Sequence, residues 1–188
     1  MSYKLSVIIT AKDRNNEKLK ELEASLARQT FRDFETLVIT EGNSETAKAI
    51  GLRQARGKYV CILASDNYLN DPQFFEKCIK PLDENSFITG SFPVKYYYNQ
   101  HDDILNRYFS LFGVNDPIPL FLHKNDRASY YDDNLLGYPL YLFNVLNDYF
   151  IIKLSTVPTL GDNGFFIRKD INHHASLPTI FCYCFLKT

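Results

Sequence analysis

Lys58-Tyr59-Val60-Cys61-Ile62-Leu63-Ala64-Ser65-Asp66-Asn67-Tyr68-Leu69 is the stretch on which the fold turns. The apolar run from Tyr59 to Ala64 has the length and β-branched content of a buried strand, and it stops abruptly at a carboxylate and an amide. A buried strand ending this way presents its last polar side chains at one edge of a sheet. In open α/β sheets that carboxyl edge is where ligands sit. Asp66 offers an anionic oxygen and Asn67 a neutral one, which suits a divalent cation that keeps its own waters and borrows phosphate oxygens from a substrate. Taken alone, Asp-Asn after a strand is more often a plain Asx turn, so the neighbouring segments decide.

Upstream, Leu5 to Thr10 is another nearly continuous apolar run of the kind found in parallel sheets covered on both faces. Asn15-Asn16-Glu17 can cap a helix over Glu17 to Arg28, where Leu19, Leu22, Leu26 and Ala27 recur at helical spacing. Phe34 to Thr40 reads as a second strand ending in Glu41-Gly42-Asn43-Ser44. Ser44 is placed to cap a helix over Glu45 to Ala55, with Gly57 as its stop signal. Strand, helix, strand, helix, strand within about sixty residues predicts a parallel sheet built from crossover connections. Three successive strands then end in polar clusters, Lys12-Asp13-Arg14, Glu41-Gly42-Asn43-Ser44 and Ser65-Asp66-Asn67, which parallel strands bring to one crevice.

Downstream, Asp71-Pro72 opens a helix with Pro72 in its first turn and Phe74, Phe75, Cys78 and Ile79 as its buried stripe. Ser86 to Thr89 reads as a strand, Tyr96-Tyr97-Tyr98 as an edge strand, and Asp103 to Phe112 as a helix. Asn134 to Asn147 is mixed helix and loop, and Gly161-Asp162-Asn163 is a turn between two extended segments. The aromatic-rich middle, with Tyr96, Tyr97, Tyr98, Tyr108, Phe109, Tyr130 and Tyr131, reads mainly as an aromatic core. Its other reading is a ligand groove, since rings stack on sugar faces or pack against lipid tails. Asn115-Asp116-Pro117 and Lys124-Asn125-Asp126-Arg127 are polar loops in the same region.

A chain of 188 residues with 45% hydrophobic content builds one core and predicts one domain, 1–188. A net charge of -1 gives no electrostatic footprint for nucleic acid. No apolar stretch reaches the eighteen or so residues that span a bilayer, and the start lacks a signal-peptide profile. The expectation is a soluble, cytoplasmic protein, compatible with peripheral membrane contact. Cys61, Cys78, Cys182 and Cys184 lack zinc-site spacing and read as reduced, structural thiols.

Taken together these motifs resemble family-2 glycosyltransferases, inverting enzymes with a GT-A fold. Leu5 to Thr10 with Asp13-Arg14 looks like that family's opening strand and nucleotide-contacting turn. Glu41-Gly42-Asn43-Ser44-Glu45-Thr46 is similar to its acidic turn. Ala47 to Gly51 and Ala55-Arg56-Gly57-Lys58-Tyr59-Val60 resemble the helix and the approach to its central strand. Ala64-Ser65-Asp66 occupies the place of its Asp-x-Asp metal motif, and Leu160 to Lys169 is similar to the Gly-x-Asn-Gly...Arg-Arg segment beside the acceptor site. The match runs in order over most of residues 4 to 170. Neither a Gly-x-Gly-x-x-Gly turn nor a Gly-x-x-x-x-Gly-Lys run competes with it.

The resemblance implies an α/β fold of the GT-A type, a Rossmann-like three-layer sandwich around a mainly parallel sheet, with 1–92 the nucleotide-sugar half and 93–188 an incomplete acceptor half. It implies a nucleoside-diphosphate sugar donor held by Thr10, Ala11, Asp13, Arg14, Glu41, Lys48, Ser65 and Asp66. The metal ligand would be Asp66 for Mg2+ or Mn2+, and the acceptor, a glycan or lipid-linked molecule, would lie beside Gly161, Asn163 and Gly164. Lys48 replaces the family's Arg and reads as solvent-facing. Two departures matter. Ala64 replaces the first Asp of the metal motif, and no acid follows Asp170, so Asp162 is the nearest substitute for the family's downstream base. His173-His174 is a further substitute. The chain therefore reads as C-terminally truncated, and the rival reading is a non-catalytic nucleotide-sugar-binding module. A nucleotidyltransferase would want a Gly-rich basic loop that Lys12-Asp13-Arg14 does not supply.

Overall fold

The computed structural model describes residues 3–114, 117–122, 125, 127–135, 138–139, 145–146, 148–153, 164–170 and 180–184. Its strands are β1 Leu5–Thr10, β2 Phe34–Ile39, β3 Tyr59–Ala64, β4 Ile88–Pro93, β5 Asn134–Leu135, β6 Tyr138–Pro139, β7 Val145–Leu146, β8 Tyr149–Lys153, β9 Phe165–Arg168 and β10 Ile180–Cys184. Its helices are α1 Glu17–Ala27, α2 Ser44–Gln54, α3 Phe74–Glu84, α4 Ile104–Phe112 and α5 Pro117–Phe121. Eight strands form one sheet in the order β2-β1-β3-β9-β4-β10-β8-β7, and β5 and β6 form a separate hairpin. Only β8 and β9 run against the rest, so the sheet is mixed and mainly parallel.

The strand period of two sorts the core into layers. Leu5, Val7 and Ile9 of β1 and Tyr59, Cys61 and Leu63 of β3 pack with α1 and α3, while Ile8, Val60 and Ile62 pack with Ile39 and with Ala47 and Ala55 around α2. The result is a three-layer sandwich. Its connectivity requires this: the chain steps outward from β1 to β2 through α1 and returns over β1 to β3 through α2, and equal handedness puts the two crossovers on opposite faces.

Caps follow from side chains that satisfy the first free N–H groups of each helix. Asn16 accepts from Lys18 N for α1, Asn43 from Thr46 N for α2, and Asp103 from Asn106 N for α4. Asn43, not Ser44, is thus the cap of α2. The third helix starts at Phe74 rather than at Pro72, because Asp71 and Pro72 form the preceding turn. Its N-terminus is closed from a distance: buried Gln29 accepts from Phe75 N at 3.2 Å and donates to the Asp71 carbonyl at 2.9 Å.

Two other expectations change. Gly57 is no helix stop, since α2 ends at Gln54 and caps through Ala55. A Cβ at Gly57 would lie 2.5 Å from Ser6 N and 2.6 Å from Leu5 C, so glycine is there to let the chain press against β1. Tyr96-Tyr97-Tyr98 is an irregular loop, not a strand. The four cysteines are free and buried. Cys61, Phe166, Ser91 and Cys182 form one row across β3, β9, β4 and β10, a line of mostly small side chains beneath α3, which contributes Phe74, Phe75 and Cys78 to the same core. No helix among the described residues is long and apolar enough to cross a membrane.

Candidate functional site

Three strands end level with one another. Thr10 pairs with Ile39 of β2 on one side and Ala64 of β3 on the other. The Ala11 N–H continues the ladder to the Ile39 carbonyl at 3.0 Å, and the Ser65 N–H reaches the Thr10 carbonyl at 3.0 Å. Strands of a sheet stand about 4.8 Å apart, so the three ends span about 10 Å. From β1 the chain goes on to β2, and from β3 towards β4 on the other side, so the two loops diverge. Such a switch of direction opens a crevice at the carboxyl edge.

Each loop brings polar groups to that edge. Thr10 and Ala11 are half-buried, whereas Asp13 and Arg14 are exposed. Asp13 accepts from the Asn15 N–H at 3.0 Å, and Arg14 donates to the Val38 carbonyl at 2.9 Å, tying the first loop to β2. After β2, Glu41 is exposed and Gly42 takes φ +72°, the left-handed backbone that glycine tolerates best. Lys48, one turn into α2, is not a solvent-facing cation: only 18% of its side chain is exposed, and it pairs with Glu45 at 2.7 Å. After β3, Ser65 is half-buried and Asp66 is exposed.

Asn67 does not point its oxygen at a ligand. Its Oδ1 accepts from the Ala64 N–H at 2.9 Å, while its own N–H donates to the Ala64 carbonyl at 3.0 Å. The segment is therefore a β-turn over Ala64–Asn67 rather than an Asx turn: Asn67 closes it with both its backbone and its side chain, and the exposed Asp66 carboxylate stands at its tip. No three His, Cys, Asp or Glu side chains among the described residues converge as a metal cage.

Gly161, Asp162 and Asn163 lie outside the described residues, as do Asn115, Asp116, Lys124, Asp126 and His173-His174. Gly164 is described: it takes φ +71°, and its N–H donates to the Ile62 carbonyl near the carboxyl end of β3. Because β9 runs antiparallel, its far end lies at the opposite edge. There buried Arg168 donates to the carbonyls of Leu82, Asn85 and Ile88 and closes the C-terminal end of α3. Asp170 is also at that edge, beside an open cavity of about 330 Å³ lined with Arg56, Gly57, Lys58 and Lys169. Those cations are engaged: Arg56 with Glu35 at 3.3 Å, Lys58 with Asp83 at 3.5 Å, and Lys169 with the Ala55 carbonyl.

A second polar cluster, which the sequence reading did not single out as a unit, lies past the end of β4. Lys95 pairs with Asp133 and sits 4.5 Å from the centre of the Tyr130 ring. Asp132 is tied down by its neighbours. Burial opposes its ionisation, but the Ser129 hydroxyl and the Asn134 N–H and amide outweigh it and hold the carboxyl below its usual range. The readable signal was the turn-forming Asp132-Asp133-Asn134 run following Ser129 and two tyrosines.

The layered, mainly parallel sheet with its level strand ends is a GT-A-type glycosyltransferase fold. It is similar to the crystal structure of S. aureus TarS 1-349, with TM-score 0.55 and 15% identity over 93% of this chain and 50% of that one. The complex of TarS 1-349 with UDP-GlcNAc aligns at TM-score 0.54 and 17% identity, covering 93% of this chain and 48% of that one. Its complex with UDP aligns at TM-score 0.53 and 17% identity, covering 93% and 49%. The chain thus spans about half the length of these structures. Neither a protein-family model nor a curated protein sequence matches it.

Proposed function

We propose that the chain binds a nucleoside-diphosphate sugar across the carboxyl ends of β2, β1 and β3 and serves a glycosyltransferase that passes the sugar to an acceptor hydroxyl during polysaccharide or glycoconjugate assembly. The observation that carries this reading is the level alignment of Thr10, Ile39 and Ala64, with exposed Asp13, Glu41 and Asp66 in the loops that follow. The UDP and UDP-GlcNAc complexes of TarS, which share the fold, support it.

In this reading, recognition of base and ribose falls to side chains. The Ala11 N–H and Thr10 carbonyl are already committed to the sheet, leaving the Thr10 hydroxyl and the Asp13 and Glu41 carboxylates to accept from base N–H and ribose hydroxyl groups. Arg14 and Ser65 flank the same crevice. Lys48, held by Glu45, contributes positive charge from the first turns of α2.

The residues present fit a divalent cation of the magnesium or manganese kind. Asp66 is an exposed carboxylate with no partner among the described residues, Ala64 brings no donor, and Asn67 is occupied. One protein carboxylate with diphosphate oxygens and water is how such ions are often bound. When bound, the ion neutralises charge building on the leaving diphosphate. In the transfer itself, an acceptor hydroxyl oxygen bonds to the anomeric carbon as the bond to the diphosphate oxygen breaks. The diphosphate leaves with the electron pair, and the hydroxyl proton passes to a carboxylate, a role assigned here to Asp162. Gly161, Asn163 and Gly164 are placed on the acceptor side, with residues 1–92 serving the donor and 93–188 the acceptor within one domain, working in the cytoplasm at the inner face of a membrane.

A second reading, donor binding without turnover, is favoured by one observation: Ala64, level with the ends of β1 and β2, brings no metal-binding oxygen beside Asp66. Calorimetric titration with UDP, with and without Mn2+, tests binding in both readings, and release of free sugar or its transfer from UDP-GlcNAc separates them. Binding that strengthens with Mn2+ is expected. UDP binding absent under both conditions would refute both.

A further inference from the structure

Three strands share one register at the middle of the sheet. Cys61 of β3 pairs with Phe166 of β9, which pairs with Ser91 of β4. Counting forward from those partners, Ala64 at the end of β3 stands level with Val94, just past the end of β4. Two strand spacings separate them, about 10 Å. The loop that follows β4 therefore leaves the same edge as the Asp66 turn, one sugar-sized step along it.

That loop carries aromatic surface held in place by polar bonds. Tyr97 and Tyr98 are 42% and 37% exposed, although both rings are large enough to bury. Tyr98 lies 6.2 Å from Tyr130, ring centre to ring centre, and Tyr130 takes the Lys95 ammonium on its ring. Burial raises the Tyr130 phenol above its usual value, with nearby Tyr97 adding to the effect.

Beneath the rings the backbone is pinned from several sides. The Ala128 N–H donates to the Val94 carbonyl at 2.7 Å, and the Tyr130 N–H to the Leu111 carbonyl at 2.8 Å. The Ser129 hydroxyl accepts from Tyr131 N and Asp132 N and donates to Asp132. Asp133 sits at φ 52°, the one non-glycine residue among those described with a positive φ, and its carboxylate meets Lys95. Asp is one of the few non-glycine residues that enter that region readily, so the turn holds its shape at little backbone cost.

We infer that Tyr97 and Tyr98, backed by Tyr130 and the Lys95–Asp133 pair, form a stacking platform for a pyranose ring of a glycan acceptor. The inference rests on the donor reading above for its functional setting. The chemistry is specific to that ligand class. A pyranose presents C–H faces that stack on aromatic rings and a rim of hydroxyls that exchange hydrogen bonds with phenols, a carboxylate and an ammonium. An acceptor seated here would lie beside the Asp66 turn.

The test uses the full chain and three probes, cellotetraose, chitotetraose and maltotetraose. With thirteen tyrosines and no tryptophan, the protein reports ring contacts through tyrosine emission undisturbed by indole, and saturation-transfer NMR identifies the bound sugar. At least one probe is expected to bind the wild-type chain. The double variant Tyr97→Ala/Tyr98→Ala should weaken that binding about tenfold, the loss expected for two stacking rings. Tyr97→Phe/Tyr98→Phe, which keeps the rings, should retain most of it. No binding of any probe, equal binding by the alanine variant, or loss in the phenylalanine variant as large as in the alanine one would overturn the platform. A parallel UDP titration of the wild-type chain keeps the two readings apart. Sugar binding without UDP binding defeats the donor site alone, and UDP binding without sugar binding defeats the platform alone.

Discussion

Ala64 and Asn67 exchange two hydrogen bonds around Ser65 and Asp66: Ala64 N–H to Asn67 Oδ1 at 2.9 Å and Asn67 N–H to the Ala64 carbonyl at 3.0 Å. The pair closes the turn that presents Asp66, so Asn67 is a positioning residue for the carboxylate next to it. Asn67→Ala removes one of the two bonds and is expected to cost about 1 kcal/mol of stability. It should also weaken Mn2+-dependent UDP binding more than metal-free binding. Calorimetry in both conditions reads the difference, and an equal loss in the two would show that the turn does not act through Asp66.

Gly57 tests the close approach of the chain to β1. An alanine Cβ there meets the backbone of Leu5 and Ser6 at 2.5–2.6 Å, and the glycine N–H already donates to Ser6 Oγ at 2.8 Å. Backbone cannot step aside as a flexible side chain would. Gly57→Ala should therefore lose about 2–3 kcal/mol in urea unfolding. A change within about 0.5 kcal/mol, the range of an ordinary surface substitution, would contradict the packing described.

Asp83 links α3 to the amino ends of β1 and β3. It pairs with Lys4 at 2.7 Å and Lys58 at 3.5 Å and accepts from the Tyr59 hydroxyl at 2.8 Å. Burial opposes its ionisation, yet Lys4, Tyr59 and Lys58 outweigh this and hold its carboxyl below the usual value. A carboxylate with a lowered folded-state pKa binds its proton less readily folded than unfolded. Its stabilisation is complete above the ordinary carboxylate value and fades as pH falls through the lowered one. Thermal melts from neutral pH downward should show Asp83→Asn with a shallower decline than the wild type. Parallel declines would remove Asp83 from the account.

The first half of the fold is legible because its signals are local. The runs Leu5–Thr10 and Tyr59–Ala64 are strands buried on both faces, and Asn16 is a cap one can read from residue type and spacing, whereas at α2 two adjacent cap-forming residues compete and Asn43 rather than Ser44 takes the place. What the sequence hides is long-range. Nothing near Phe165–Arg168 says that this segment inserts antiparallel between β3 and β4, nor that Ile180–Cys184 lies beside β4. Gln29 closing α3 from a distance of over forty residues, and Arg168 closing its other end, are invisible to any local pattern. At the site, the three polar strand ends were readable, because parallel neighbours must end on one edge. The Lys95–Asp133 pair was not, since it joins positions thirty-eight apart through a turn defined only in three dimensions.

The central claim is that Asp66 and the ends of β1 and β2 grip one metal-bound diphosphate. A crystal structure of the chain grown with UDP and Mn2+, with data collected for the manganese anomalous signal, tests it most directly. The account predicts a single anomalous peak in direct contact with the Asp66 carboxylate and the diphosphate oxygens, and the uridine between the Thr10 and Glu41 loops. Nucleotide bound away from this edge, or manganese on the diphosphate with Asp66 out of contact, would contradict it.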